Sequence, residues 1–168
     1  MKPKIENRPS TSDIQRVNWR AFRNIQKLHR LLYSIGLGPV IGKVILLLTT
    51  TGRKSGKKRV TPLQYEKIEG KFFLGSARGT KADWYRNICA DGSVEVRVGK
   101  RYFRGAAETV TEPERIADFL ETRLERHPFM MGLLMQKTHH LPRHPSREQL
   151  LDLARSEAMV IIQPVEEL

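Results

Sequence analysis

Leu47-Leu48-Thr49-Thr50-Thr51-Gly52-Arg53-Lys54-Ser55-Gly56-Lys57-Lys58-Arg59-Val60-Thr61-Pro62-Leu63 is the stretch on which the fold turns. An apolar run ending in three threonines predicts a buried strand over Val44 to Thr51. Gly52 to Lys58 is a basic turn, and Arg59 to Ile68 predicts a second strand, so the stretch is a hairpin. Two glycines flank Arg53, Lys54 and Ser55. Glycine lets a backbone turn tightly and expose its amides, and the cations add charge-assisted hydrogen bonds. An anionic ligand tail requires these groups, although a solvated basic hairpin has the same composition. The spacing is not that of a Walker loop, which ends a longer glycine spacing in Gly-Lys-Ser/Thr. Pro62 demands a sheet edge or a bulge, because proline has no N–H for a ladder. Beside such a break, amides such as those of Val60 and Leu63 are left for a planar ring with carbonyl and N–H edges. A bulge with no ligand satisfies the same constraint.

Downstream, the strands continue as hairpins. Glu69-Gly70 is a tight connection to a third strand, Lys71 to Ala77, followed by the loop Arg78 to Lys81. Asp83 opens a short helix through Cys89. Val94-Glu95-Val96-Arg97-Val98 alternates as a half-buried strand should, and Gly99-Lys100 turns it into another, Tyr102 to Val110. Thr111, Pro113 and Glu114 predict a capping box on a helix running to Arg126. The Met-, His- and Pro-rich stretch His127 to Pro145 has no assignable element. Ser146 with Gln149 starts a last helix, and Ala158 to Gln163 closes the chain as a strand. Six strands arranged as hairpins, with helices between them, predict an α+β fold built on an antiparallel split β-barrel rather than a parallel doubly wound sheet.

Upstream, residues 1 to 12 have no periodicity and predict a tail without a signal peptide. Asp13 caps a predicted helix to Ile35, ended by Gly36-Leu37-Gly38-Pro39. Ile14, Val17, Ala21, Ile25, Leu28, Leu32 and Ile35 share one face, and Arg16, Arg20, Arg23, Lys27 and Arg30 form a stripe opposite. Such a helix, over residues 13–35, fits either docking on the barrel or an anionic membrane surface. The expected division is residues 1–39 for tail and helix and 40–168 for the barrel.

Thirty lysines and arginines against 18 acids give a net charge of +12, which favours an anionic partner: nucleic acid, acidic lipid or a polyanionic coenzyme. No nucleic-acid motif or strand pair of interleaved aromatics is present, so a basic nucleic-acid binder ranks below the coenzyme. The single Cys89 rules out an internal disulfide and fits a reducing, cytoplasmic compartment. His127, His139, His140 and His144 lie in a stretch interrupted by Pro142 and Pro145 with no acidic or cysteine partner nearby, so no metal is expected.

A third motif is Gly75-Ser76-Ala77-Arg78-Gly79 with Asp83-Trp84-Tyr85-Arg86-Asn87. Ser76 ends a strand, Arg78 adds a cation, and a Trp-Tyr pair can wall a flat ligand or simply pack the helix on the barrel. With the basic hairpin, these stretches resemble the deazaflavin (F420)-dependent nitroreductase family of split β-barrel oxidoreductases. The resemblance implies a six-stranded split barrel and hydride exchange between reduced coenzyme F420 and a small oxidised organic acceptor of quinone, nitro or enone type. It implies that Arg53, Lys54, Ser55 and Arg59 hold the coenzyme's phosphate and glutamate tail. Val60, Thr61, Pro62 and Leu63 would present backbone to the ring, with Ser76, Ala77 and Arg78 nearby and Trp84, Tyr85 and Asn87 as a wall. Related barrels use flavin mononucleotide (FMN) instead, and a homodimer is compatible with the architecture. The sequence departs from the best-known members at Arg78, where lysine is common, and at Phe129, Met130, Met131 and Met135, where they carry tyrosines. No nucleophile triad or paired carboxylates occur, as expected where a cofactor carries the chemistry.

Overall fold

The computed structural model describes residues 45–99 and 101–168. The predicted tail, the helix over residues 13–35 with its Gly36 to Pro39 stop, Val44 and Lys100 lie outside the described residues.

Seven strands form one antiparallel sheet: β1 (Ile45–Thr51), β2 (Lys58–Gln64), β3 (Glu66–Ile68), β4 (Lys71–Ser76), β5 (Ser93–Val98), β6 (Arg101–Val110) and β7 (Ala158–Glu167). Between them lie α1 (Asp83–Ala90), α2 (Pro113–Arg126), α3 (Pro128–Thr138) and α4 (Arg147–Ala154). The sheet order is β2-β1-β5-β6-β7-β4-β3. The two edge strands, β2 and β3, are therefore consecutive in the chain, separated only by Tyr65. A sheet whose opposite edges are joined by one residue must curl until they meet, which is a barrel.

The predicted count of six becomes seven for this reason. The expected strand Arg59 to Ile68 divides at Tyr65, because its first half pairs with β1 and its second with β4. Tyr65 turns its ring onto Phe72, 5.5 Å between centroids, and packs against the barrel core. Glu69 and Gly70, with φ of 49° and 81°, make the left-handed two-residue connection that the sequence predicts between β3 and β4.

Two cores share β7, whose first five residues are all buried. Ala158, Val160 and Ile162 face the barrel interior with Leu46, Leu48, Phe72, Leu74, Val96 and Phe103. Met159 and Ile161 face a second core formed by the helices, with Ile116, Phe119, Met131, Met135 and Leu150. Each of these side chains larger than alanine contributes roughly 1.5–3 kcal/mol by leaving water. Burial on both faces explains why the segment reads as a continuous apolar run.

At α4 the predicted capping box is present: Ser146 Oγ accepts from the Gln149 amide, and Gln149 Oε1 accepts from the Ser146 amide. At α2 the predicted box is absent. Pro113 occupies the first helical position, so the cap falls on Glu112, and Thr111 lies one residue too early. The Thr111 amide instead donates to Glu112 Oε2 at 3.1 Å. The unassigned stretch after His127 contains α3, a helix with Met131, Gly132 and Met135 buried and Met130 and Leu134 packed on the second core.

Candidate functional site

The basic turn is a closed unit. The Gly52 amide donates to Lys57 O at 2.8 Å, and Gly52 O accepts from the Ser55 and Gly56 amides at 3.1 and 2.7 Å. A Cβ on Gly52 would lie 2.9 Å from Ser55 Oγ and 3.1 Å from Lys57 O, and Gly56 has φ of +64°. Glycine is thus required at one position for space and at the other for conformation.

Arg53 latches this turn to α1. Its amide and Nη1 both donate to Asn87 Oδ1, at 3.2 and 3.1 Å, and its Nη2 pairs with Asp83 Oδ1 at 3.1 Å. Asn87 completes the set by donating from Nδ2 to Thr50 Oγ1 at 3.1 Å. Thr50 and Asn87 are buried, so each hydrogen bond replaces a desolvation cost of about 1–3 kcal/mol. The two motifs that the sequence singles out are thereby one network, and Asn87 and Arg53 build the turn. Thr50 and Asp83 are parts that the sequence does not assign, since their partners lie 30 or more residues away.

A second tie fixes Lys58. Its Nζ lies 3.0 Å from Glu95 Oε1, while Tyr102 Oη donates to Glu95 Oε2 at 2.7 Å. Burial pushes the Glu95 carboxyl up, but the hydrogen bonds from Tyr102 and Lys58 outweigh it and hold the group below its ordinary value. Burial, and then the neighbouring Glu95, push the Tyr102 hydroxyl up to about 12. With Arg53 and Lys58 engaged, the exposed side chains of Lys54, Lys57, Arg59 and Arg78 have no carboxylate partner among the described residues.

Beside the turn the barrel is split. Among the described residues β2 pairs only with β1, and Pro62 stands opposite Leu47 in this edge strand. The predicted edge for Pro62 is therefore present. β3 pairs with β4 only over Lys71 to Phe73, so among the described residues Leu74, Gly75 and Ser76 have β7 on one side and no strand on the other. β2 and β4 approach each other across this gap, and its apex is Tyr65. Proline keeps its nitrogen on the open side of an edge strand. Strand alternation then turns the Val60 and Gln64 amides to the same side and the Leu63 amide toward β1, so the open pair is Val60 and Gln64 rather than Val60 and Leu63.

Not every expected residue faces this gap. Ser76 is buried, and its Oγ donates to Gly79 O at 2.8 Å. Tyr85 is buried in the barrel core, and its hydroxyl is pushed up by burial first and by Cys89 next. Trp84 is half-buried against that core, edge-on to Tyr85 at 6.2 Å. Ala77, Arg78 and Ser55 are exposed.

The model of the F420H(2)-dependent quinone reductase family matches residues 22–129, which include the turn, the split and α1. The chain belongs to this family. Over 93 residues it is 34% identical to an F420H(2)-dependent quinone reductase of Mycobacterium tuberculosis strain H37Rv, and equally to that of strain CDC 1551. The match covers 50% of this chain and 62% of each of those proteins. Among solved structures, an F420 reductase has a TM-score of 0.50 at 18% identity, covering 75% of this chain and 90% of its own. A heme storage protein from Vibrio cholerae has a TM-score of 0.51 at 15% identity, covering 74% and 83%. These two likenesses establish the fold, an antiparallel split barrel flanked by helices.

Proposed function

We propose that this family member is an F420H2-dependent reductase, transferring a hydride from the reduced deazaflavin to a quinone-type acceptor. The observation that carries the reading is the split itself: among the described residues two unpaired strand edges face each other, and cations without a carboxylate partner stand at one end. Lys54, Lys57 and Arg59 have the charge and freedom to meet a phosphate and several glutamate carboxylates. The open backbone of Val60 and Gln64 offers donors and acceptors to the edge of a planar heterocycle, with Leu74 to Ala77 on the opposite side.

When bound, reduced F420 supplies the hydride. The protein's part is placement: Arg53, Asn87 and Asp83 hold the turn in shape, the cations fix the tail, and the barrel excludes water from one ring face. Arg53 and Asn87 are assigned to building the site, and Ser76 to shaping the loop through Gly79, while Trp84 is the wall residue within reach of solvent.

Three side proposals travel with this reading. A basic helix over residues 13–35 would bring the enzyme to an anionic membrane on the cytoplasmic face, where lipid-soluble quinones reside. Residues 40–168 would then suffice for coenzyme binding, and a homodimer is compatible with either. Sedimentation with phosphatidylglycerol vesicles, with and without residues 1–39, tests the first, and a fluorescence titration of the truncated protein with F420 tests the second. Among the described residues no helix is long and apolar enough to cross a membrane.

The central test is a fluorescence titration with F420 and, side by side, FMN, followed by oxidation of reduced F420 in the presence of menadione. Tighter binding of F420 and quinone-dependent oxidation are expected. Equal or tighter binding of FMN overturns the coenzyme assignment.

A further inference from the structure

Where the split closes, one turn of α2 and the residue after it grip the chain on both sides of Tyr65. Arg123 Nη2 donates to Gln64 Oε1 at 3.1 Å, and its Nε lies 3.5 Å from Glu66 Oε1. Arg126 Nη1 donates to Lys67 O at 3.0 Å and lies 3.7 Å from Glu66 Oε2. His127 Nε2 lies 3.0 Å from Glu66 Oε1. The Glu66 side chain is 7% exposed and that of Arg123 11%. Arg123 also covers the Phe119 ring, which stacks on Phe73, the residue paired with Glu66.

A buried ion pair is poor evidence for stability, because taking two charges out of water costs about as much as their attraction returns. Its value is geometric. These side chains hold residues 64, 66 and 67, so they hold the last residue of β2 and the first two of β3 at a fixed divergence. That divergence determines how far the open edge of β2 stands from the end of β4. Arg123 Nε, with no hydrogen bond that meets normal geometry, is consistent with a cluster that is arranged for reach rather than for full satisfaction.

We propose that Glu66, Arg123 and His127 are positioning residues that set the width of the split, and hence how tightly the coenzyme's ring is held. This rests on the reading of the split as the deazaflavin site. The basic turn grips the opposite, anionic end of the coenzyme, so the two sets should separate in experiment. Arg123 acts through Gln64 of β2 and Glu66 of β3, and His127 acts through Glu66, so both work on the strands and not on coenzyme or acceptor.

The test compares wild type, Glu66→Gln, and the double variant Glu66→Leu with Arg123→Met. Two probes are titrated: F420, and its ribityl-deazaflavin headgroup lacking phosphate and glutamates. Amide hydrogen exchange is followed without coenzyme. The double variant should melt at or above the wild-type temperature, since an apolar pair replaces a buried ionic one. It should nonetheless bind both probes about tenfold more weakly, as expected when a ring site is misplaced by a fraction of an ångström. Exchange should quicken over residues 58–64 and stay unchanged over β5 and β6. Should the double variant not fold, Glu66→Gln decides, with a loss of about threefold for both probes expected. A folded variant with wild-type affinity for both probes and unchanged exchange in β2 overturns the proposal. Loss confined to intact F420 also overturns it, since that is the pattern of a tail contact. Failure of the wild type to bind either probe overturns instead the reading of the split, a result distinct from all of these.

Discussion

Among the described residues two places concentrate charge, and they are built on opposite terms. Around the turn, Lys54, Lys57 and Arg59 stand in water with no carboxylate partner among the described residues. At the apex of the split, Glu66 is enclosed by Arg123, Arg126 and His127. Exposed cations add little to folding and remain available to a ligand. Enclosed charges cannot leave their partners without a large penalty, so they fix geometry instead. A binding surface and a frame can thus be told apart by what surrounds each charge.

The largest expected effect lies at the frame. Glu66→Ala leaves the buried guanidinium of Arg123 without its carboxylate and should destabilise the fold by about 3–5 kcal/mol. Lys54→Ala should move stability by no more than about 0.5 kcal/mol. Urea denaturation of the two variants measures both, and equal midpoints would erase the distinction.

The order reverses for the ligand. Lys54→Ala and Arg59→Ala should each weaken F420 by about 1.5–3 kcal/mol, tenfold or more, at low ionic strength. The loss should shrink as salt rises, because screening already weakens the wild-type contact. Titrations at two salt concentrations check this. An unchanged affinity in both variants at low salt would place the tail elsewhere.

The same two regions differ in how far the sequence alone makes them legible. The turn is local: two glycines, a run of cations and a proline lie within a dozen residues, and their requirements are set by near neighbours. The alternation Val94 to Val98 and the Ser146–Gln149 box were legible for the same reason. The frame is not local. A glutamate in a short strand reads as solvent-facing, and nothing near Glu66 announces that α2 will cover it. Nor does the run Arg59 to Ile68 contain a break in its pattern, because its division at Tyr65 is decided by two different partner strands. The latch between Thr50 and Asn87 spans 37 positions and is equally silent. α3 has no signature in the sequence because apolar residues occur all round it, so no periodic face marks it. At α2 the cap falls one residue later than the threonine suggests, since Pro113 fixes the first helical position.

Glu157 sharpens the comparison as a third case, a half-buried carboxyl with no cation against it among the described residues. Burial alone pushes it up to about 7, so it neutralises where Glu66 pairs. A carboxyl raised in the folded state binds its proton more tightly folded than unfolded. Its contribution to stability is therefore full below the ordinary carboxylate range and is lost as pH rises toward about 7. Glu157→Gln removes that dependence. Relative to wild type the variant should gain about 1–2 kcal/mol between pH 5 and pH 8, a figure already reduced for partial solvent screening. Denaturation curves across that range check it, and parallel profiles would show that water reaches the carboxylate.

The smallest expected effect separates shape from charge within the turn itself. Gly56 has φ of +64° and open space where a Cβ would go, so Gly56→Ala meets no atom within 4 Å. Its cost is purely conformational, about 1 kcal/mol for an L-residue held in the left-handed region. For a domain of this size that is a fall of roughly 2–4 °C in melting temperature. Gly56→Asn should recover most of it, because asparagine tolerates this conformation. Gly52→Ala differs in kind, since its Cβ would press on Lys57 O and open the hydrogen bond from the Gly52 amide that closes the turn. If the turn binds by shape as well as charge, Gly52→Ala weakens F420 binding while Gly56→Asn leaves it unchanged. If both variants bind as wild type does, the cations alone hold the tail, and the turn is only the place where they are displayed.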